Sequence, residues 1–164
     1  MKRQSTRLDG YDYSQGGTYF VTVCTHQRDA LFGGVVDREM VLNDLGSIVQ
    51  TTWESMPSRF PTISLDQFVI MPNHMHAILF LGAVVEPRVL GTGAAPTLGT
   101  VLRAFKSISA IACNRHRGLT GVPVWQRNYH DHVIREGRAL ESIRRYIFAN
   151  PAGWATDDVD PVPG

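Results

Sequence analysis

The chain has 164 residues, of which 43% are hydrophobic and 19% charged, so it is long enough for one compact domain and too apolar for a disordered chain. No apolar run approaches the roughly 18 residues that a membrane helix needs, and the polar start, MKRQSTRLDGYDYSQ, lacks the apolar centre of a signal peptide. We therefore expect a cytoplasmic protein that does not bind membranes. Cys24 and Cys113 are too few and too far apart for a disulfide framework, and we expect both to be reduced core residues.

The net charge of +1 hides an uneven distribution along the chain. Residues 101–145 contain nine Lys or Arg against three Asp or Glu, a net charge of +6, whereas the remainder carries −5. One face that meets phosphates would produce this asymmetry, but so would a solvated basic helix face. The candidate phosphate contacts in this segment are Arg103, Lys106, Arg127, Arg144 and Arg145.

The N-terminal part predicts a strand followed by a helix. Residues 18–25 are rich in β-branched and aromatic side chains, which favours a strand. Asp37 is the candidate N-cap of the helix, which should stop near Pro57 and Pro61. The apolar positions that recur at helical spacing are Val41, Leu45, Ile48, Val49, Trp53 and Met56.

A hairpin, a loop and a second helix are predicted next. Residues 65–71 and 74–81 favour two strands around the turn signal Pro72-Asn73. The Gly-, Ala- and Pro-containing segment 82–96 has no periodicity and is typical of a flexible surface loop. The apolar stripe of the helix after it consists of Leu98, Val101, Leu102, Phe105, Ile108 and Ala112.

The C-terminal part predicts a fourth strand within residues 124–135 and a last helix from Gly137 to Pro151. The order β-α-β-β-α-β-α indicates an α+β fold, a ferredoxin-like split βαβ sandwich with an antiparallel sheet and an added C-terminal helix. We expect one domain over residues 1–164, with an N-terminal arm (1–15) and a loose tail (154–164).

The strongest chemical signal before the last helix is His74-Met75-His76. Residues two apart on a strand point to the same face, so both imidazoles can address one site while Met75 points into the core. Two histidines on one face are good ligands for a divalent metal, although such a pair also occurs incidentally. Neither cysteine lies close in sequence and there is no His-Glu-x-x-His motif, so nothing completes a zinc site.

The last predicted helix supplies Tyr146 and Asn150, four residues apart and therefore on one face beside the buried stripe. A phenol and an amide in this position can lie over the sheet and join a site. The same spacing fits a tyrosine at the edge of the core and an asparagine that caps the helix before Pro151. Spacing alone leaves both interpretations open.

Several long motifs occur in an order that identifies a family. They are LDGYDYSQGGTYFVTVCTHQRDALFG (8–33), DQFVIMPNHMHAILFL (66–81), LRAFKSISA (102–110), PVWQRNYHDHVIR (123–135) and YIFANP (146–151). Over nearly the whole chain the sequence resembles the REP-associated branch of the single-tyrosine HUH transposases. The family name describes His, a hydrophobic residue and His, here His74, Met75 and His76.

The resemblance implies the site and its chemistry. The family's nucleophilic tyrosine precedes Asn-Pro and matches Tyr146, and its third metal ligand matches Asn150. The implied activity is metal-dependent nicking and rejoining of single-stranded DNA beside hairpins, through a covalent 5′-phosphotyrosine and a free 3′-OH, near the prokaryotic nucleoid. Two imidazoles and an amide oxygen suit Mg²⁺ or Mn²⁺, and we expect Mn²⁺ to bind more tightly. Family members work as monomers or dimers, so a homodimer stays open.

Other residues are weaker candidates. Tyr129 is the rival nucleophile, but it has no amide partner four residues on. His130 and His132 form a second pair that faces either the site, the DNA or the core. Trp125, with Gln126, either anchors the start of the fourth strand or stacks on an unpaired base. The N-terminal arm carries Lys2, Arg3 and Arg7 and resembles the family segment that precedes the first strand, where it would grip the hairpin or its flanking bases.

Three alternative functions follow from the same residues. A metal nuclease would use water as the nucleophile and Tyr146 only for packing. A catalytically silent, sequence-specific DNA-binding protein would keep the fold without the reaction, although the presence of both histidines, the tyrosine and the asparagine argues against such decay. A metal-binding protein unrelated to DNA would leave the basic segment 101–145 unexplained.

Overall fold

The computed structural model describes residues 17–82 and 96–154. The predicted arm (1–15), nearly all of the predicted loop (82–96) and the tail beyond Trp154 lie outside these residues. The described elements, in chain order, are β1 (Gly17–Cys24), a short 3-10 turn (His26–Arg28), β2 (Gly33–Val36), β3 (Glu39–Leu42), α1 (Asp44–Glu54), α2 (Met56–Arg59), β4 (Ile63–Met71), β5 (His74–Leu81), α3 (Leu98–Arg117), β6 (His130–Ile134) and α4 (Gly137–Ala149).

Four of the strands form an antiparallel sheet in the order β4-β5-β1-β6. This order is that of a ferredoxin-like split βαβ fold, with α4 added at the C-terminal end, and it confirms the predicted fold class. The two central strands, β5 and β1, carry the predicted histidines and their direct neighbours. In their register Cys24 lies opposite His74, and Thr22 lies opposite His76.

The two faces of the sheet have separate cores because side chains alternate along each strand. Helices α1 and α3 cover one face, where the α1/α3 core includes Tyr19, Trp53 and Phe105. Helix α4 covers the other face, which also carries His74 and His76. Its smaller α4 core consists of Phe20, Ile78, Ile134, Ile143 and Ile147. The sheet therefore separates the site-facing layer from the larger core.

The prediction that Asp37 caps the first helix is wrong. Asp37 and Arg38 have φ values of 51° and 67° and form the two-residue turn between β2 and β3, which pair as a hairpin of their own. Positive φ at both central residues is the conformation that a tight hairpin turn requires. Helix α1 begins later, where the Asn43 side chain accepts a hydrogen bond of 2.9 Å from the Gly46 N–H.

The other predicted element boundaries differ less from those in the structure. Strand β4 begins at Ile63 and contains a bulge between Leu65 and Phe68. Strand β6 is confined to His130–Ile134, although Trp125 still makes an isolated bridge with Thr25. Both cysteines are buried and unpaired, as predicted. Within residues 17–82 and 96–154, no helix is long and apolar enough to span a membrane.

Candidate active site

The histidine pair lies on β5 with almost no access to solvent. His74 and His76 are each 1% exposed, and their ring centroids are 4.7 Å apart. Met75, between them, points to the other face and is fully buried in the α1/α3 core. The strand therefore places the two histidines on one face and Met75 on the other, as predicted.

Each histidine uses one ring nitrogen for a neighbour. His74 Nδ1 lies 2.8 Å from the Asn73 side-chain oxygen, and His76 Nδ1 lies 2.8 Å from Thr22 Oγ1. The Nε2 atoms of both rings are buried and have no hydrogen-bond partner among the described residues. A buried nitrogen without a partner is costly unless something else binds it. Because the Asn73 oxygen can only accept, the neutral His74 ring carries its hydrogen on Nδ1 and leaves a lone pair on Nε2.

The surroundings keep both imidazoles neutral. Burial, followed by the nearby Arg28 charge, lowers the pKa of His74 to about 4, although an interaction with the Asn150 side chain opposes both effects. Burial, followed by the neighbouring His74, also holds the pKa of His76 well below its ordinary value. Neutral rings at pH 7 are the protonation state that metal ligation requires.

Helix α4 brings Tyr146 and Asn150 to this pair. The Tyr146 ring centroid lies 5.3 Å from that of His76 and 6.2 Å from that of Phe20, the latter in an edge-to-face arrangement. Asn150 is 6% exposed, caps the C-terminus of α4 and interacts with His74. The four predicted residues, from two elements far apart in sequence, therefore meet at one place.

An ion pair holds α4 against the edge strand β4. Arg144 donates from Nε and Nη2 to the two carboxylate oxygens of Asp66, at 2.8 and 2.6 Å, and from Nη1 to Glu141 at 2.9 Å. The hydrogen bond from Arg144 lowers the pKa of the Asp66 carboxyl. Asp66 lies in the β4 bulge. A DNA phosphate would have to replace these carboxylates, so the predicted DNA contact of Arg144 stays a prediction.

The rival nucleophile lies elsewhere. Tyr129 packs against the α1/α3 core, whereas Tyr146 packs against the α4 core. His130 is opposite Thr22, which is itself opposite His76, so these three side chains share the site-facing side of the sheet. His132 also lies on that side and is opposite Phe20. Both histidines of the second pair are partly exposed.

The remaining predicted DNA contacts are spread over the molecule. Arg103 and Lys106 belong to α3, on the face of the sheet opposite to the histidine pair. Lys106 Nζ donates to the carbonyl of Arg127 at 2.9 Å. The side chains of Arg103, Arg127 and Arg145 are exposed. Their contacts with DNA stay predictions.

The base-stacking interpretation of Trp125 does not fit its position. Its side chain is 7% exposed, packs against Phe32 and Phe105 at centroid distances of 5.1 and 5.5 Å, and donates from Nε1 to Ser109 Oγ at 2.9 Å. A tryptophan with a satisfied N–H inside a core is a structural anchor. The alternative prediction, that it anchors the segment before the fourth strand, agrees with this geometry.

Sequence reasoning missed several neighbours of the site. Trp154, assigned to a loose tail, stacks on His74 with ring centroids 6.0 Å apart and planes 28° apart. The sequence predicted Thr22 in a strand and Asn73 in a turn, and it gave no sign that either residue contacts the histidines. Arg28 was not considered at all. Strand pairing places Thr22 beside His76, and the packing of the chain after α4 places Trp154 on His74; neither arrangement is encoded in a local pattern.

Comparisons with known proteins agree with the motifs. No family model matches the chain. An uncharacterised protein of Haemophilus influenzae is 35% identical over 96% of this chain and 92% of its own length. A second Haemophilus influenzae protein, provisionally named a REP-associated tyrosine transposase, is 26% identical over 85% of this chain and 73% of its own length.

A solved structure shares the fold. It is described as a REP-associated tyrosine transposase bound to a REP hairpin, has a TM-score of 0.63 and 22% identity, and aligns with 92% of this chain and 76% of its own. The fold and site thus define a tyrosine-bearing α+β protein with an antiparallel sheet. The chain shares the fold of that REP-associated tyrosine transposase structure, and it is similar along most of its length to the Haemophilus influenzae protein that has the same provisional name.

Proposed function

We propose that this protein is a transposase that nicks and rejoins single-stranded DNA beside hairpins through a covalent bond to Tyr146. The observation that carries the proposal is the meeting of Tyr146 and Asn150 with the buried, neutral pair His74 and His76. The names of the 26% identical relative and of the structural neighbour, a transposase bound to a hairpin, point in the same direction.

The residues present fit a divalent cation. Within the described residues there is no group of three His, Cys, Asp or Glu side chains for a metal, so the proposed ligands are two imidazoles and one amide. Nε2 of His74 and Nε2 of His76 are buried without hydrogen-bond partners among those residues, and the Asn150 side chain, whose amide is the proposed third ligand, interacts with His74. This donor set suits Mn²⁺ or Mg²⁺, with Mn²⁺ bound more tightly. When bound, the ion would polarise the scissile phosphate and offset its growing negative charge.

The protein's own contribution is a positioned nucleophile. The Tyr146 ring packs against Phe20 and His76 on the face of the sheet, which limits the directions from which its hydroxyl meets a phosphate. In the proposed step Tyr146 Oη loses its proton and forms a bond to phosphorus while the bond from phosphorus to the 3′ oxygen breaks. The departing 3′ oxygen gains a proton. The 5′-phosphotyrosine keeps the energy of the broken bond for rejoining.

Tyr146→Phe tests the nucleophile, with Tyr129→Phe as the matched control. Each change removes one hydroxyl and keeps a ring. With single-stranded hairpin DNA and Mn²⁺, we expect a covalent adduct from the wild type and from Tyr129→Phe, and none from Tyr146→Phe, which should still bind DNA. Adduct formation by Tyr146→Phe at the normal rate would refute the assignment. Cleavage without any adduct would favour a water-using nuclease, and binding without cleavage a catalytically silent DNA-binding protein.

A further inference from the structure

We propose that Arg28 binds the scissile phosphate and is a further catalytic residue of this site. The inference rests on the proposed function, because it names the group that would hold the substrate beside the histidine pair. Arg28 follows β1 within the short turn His26–Arg28, and its side chain is partly buried.

The backbone at Arg28 has a conformation that needs support. Gln27 and Arg28 have φ values of 55° and 58°, in the left-handed region that residues with side chains rarely adopt. Two such residues in succession need support from their surroundings, which the pairing of β2 with β3 supplies for Asp37 and Arg38. Neither Gln27 nor Arg28 is glycine or asparagine, the types that adopt this region most easily.

The support comes from the loop that carries the histidines. The Thr25 N–H donates to the Asn73 carbonyl at 3.0 Å, and the Leu31 N–H donates to the Pro72 carbonyl at 2.9 Å. Thr25 Oγ1 also donates to the carbonyl of Asp29 at 2.7 Å, which closes the turn. Both ends of the segment are thus tied to the turn just before His74. Arg28 is fixed relative to the site by these bonds.

The turn that carries Arg28 brings a positive charge to the end of β1 that lies opposite His74. Strand β1 ends at Cys24, directly opposite His74, and the turn that carries Arg28 follows directly, held by hydrogen bonds to the segment before His74. The Arg28 charge also contributes, after burial, to the lowered pKa of His74. Arg144, on α4, binds Asp66 and Glu141.

A cation at this place opposes the binding of a metal ion to His74. Imidazoles that bind a metal are neutral and Asn150 has no charge, so a divalent ion and Arg28 together would give a strongly positive site beside the buried histidine pair. Such a site is unfavourable unless an anion enters with the metal. A phosphodiester is that anion, and a guanidinium can donate two parallel hydrogen bonds to its oxygens.

The first test compares adduct formation by Arg28→Gln and Arg28→Lys with that of the wild type. Arg38→Gln is the matched control, because Arg38 is an exposed arginine that also has a positive φ. At saturating hairpin DNA and Mn²⁺, we expect Arg28→Gln to react at least about tenfold more slowly. Arg28→Lys keeps the charge without the paired donors and should lie between Arg28→Gln and the wild type. Thermal unfolding of each variant checks its fold.

The second test removes the charge of the phosphate itself. A methylphosphonate replaces the phosphate to which the wild-type adduct is mapped, and binding is measured in Tyr146→Phe protein, which does not react. The neutral linkage should weaken binding when Arg28 is present and have a much smaller effect after Arg28→Gln, because the two changes remove the same interaction.

The outcomes separate the two proposals. A wild type that forms no adduct refutes the proposed function and this inference with it. A wild type that forms adduct, together with an equally fast Arg28→Gln variant or an equal methylphosphonate effect with and without Arg28, refutes only the role of Arg28. A loss confined to the Arg28 variants, with an intact fold and an unaffected Arg38→Gln control, supports it.

Discussion

His74 and His76 each bind a protein neighbour through Nδ1 and keep Nε2 for the site. Thr22 and Asn73 fix the two ring orientations, since each lies 2.8 Å from the nitrogen that it contacts. Partners of this kind hold metal ligands in place before the metal arrives. The site is therefore prepared by residues that never need to touch a substrate.

Removal of the ligands should affect metal affinity in a defined order. We expect His74→Ala and His76→Ala each to weaken Mn²⁺ binding by more than the roughly 10- to 100-fold that the loss of an outer partner costs, and to stop cleavage. Asn150→Ala should have a milder effect, because a neutral amide oxygen contributes less than an imidazole. Titration calorimetry measures the affinities, with the exposed His116→Ala as control. Unchanged Mn²⁺ affinity in both site variants would eliminate the metal site.

Burial of the same rings should make the metal-free protein sensitive to acid. The pKa of His74 is about 4 in the folded state and about 6.5 in the unfolded chain, so between these values the unfolded state binds the proton first. The free energy of unfolding should then fall as the pH drops below about 6.5, by up to about 1.4 kcal/mol per pH unit for each buried histidine. Urea unfolding between pH 7 and 5 measures it.

A matched pair of variants isolates the cause of the acid effect. His74→Gln removes one of the two buried rings and should make stability less dependent on pH, whereas His116→Gln, at an exposed position, should leave the dependence nearly as it is. Stability that stays constant from pH 7 to 5 in the wild type would contradict the depressed pKa values of the histidine pair.

At the scale of elements, the position of α4 relative to the sheet decides whether Tyr146 lies beside the histidine pair. Ile143 and Ile147 bury the inner side of the helix, and the Asp66–Arg144 pair ties its outer side to β4. Asp66, the partner of Arg144, lies in the bulge of β4. An irregularity in an edge strand thus carries a contact that holds the helix of Tyr146, the proposed nucleophile.

Asp66→Asn should loosen this attachment and slow the reaction. The change removes the charge that Arg144 binds, and we expect adduct formation to slow severalfold while Mn²⁺ affinity changes little, because both histidines lie on β5. Glu141→Gln is the control, since Glu141 pairs with the same arginine from within α4. Equal adduct rates for Asp66→Asn and Glu141→Gln would show that the pair does not position the helix.

The elements differ in how far their sequence could predict them. The alternation along β5 and the helical stripes of α3 and α4 are local patterns, so they predicted both the elements and the sides on which the histidines and Tyr146 lie. The β2–β3 hairpin was missed because its turn, Asp37-Arg38, lacks the usual glycine or asparagine and Val41 continued a helical pattern. The contact of Asp66 involves a strand bulge, that of Thr22 depends on strand register, and that of Trp154 depends on the packing of the chain after α4. No local sequence pattern predicts any of these.

At the scale of the whole molecule, the basic segment 101–145 spans α3, β6 and most of α4. These elements lie on both faces of the sheet, so the positive charge is distributed around the site and not confined to one side of it. A nucleic acid that follows this charge would have to bend around the domain. A single strand bends in this way far more easily than a paired duplex.

The form of the DNA should therefore decide whether cleavage occurs. His74 and His76 are each 1% exposed beneath α4, so a scissile phosphate has to enter a narrow site where a complementary strand would collide with the protein. We expect rapid cleavage of one labelled sequence as a single-stranded hairpin and little cleavage of the same sequence as a perfect duplex. Binding should weaken with salt, by about 0.7 in the logarithm of the affinity per phosphate contact and per tenfold rise in salt. Equal cleavage rates on both substrates would contradict this arrangement and favour an ordinary duplex nuclease.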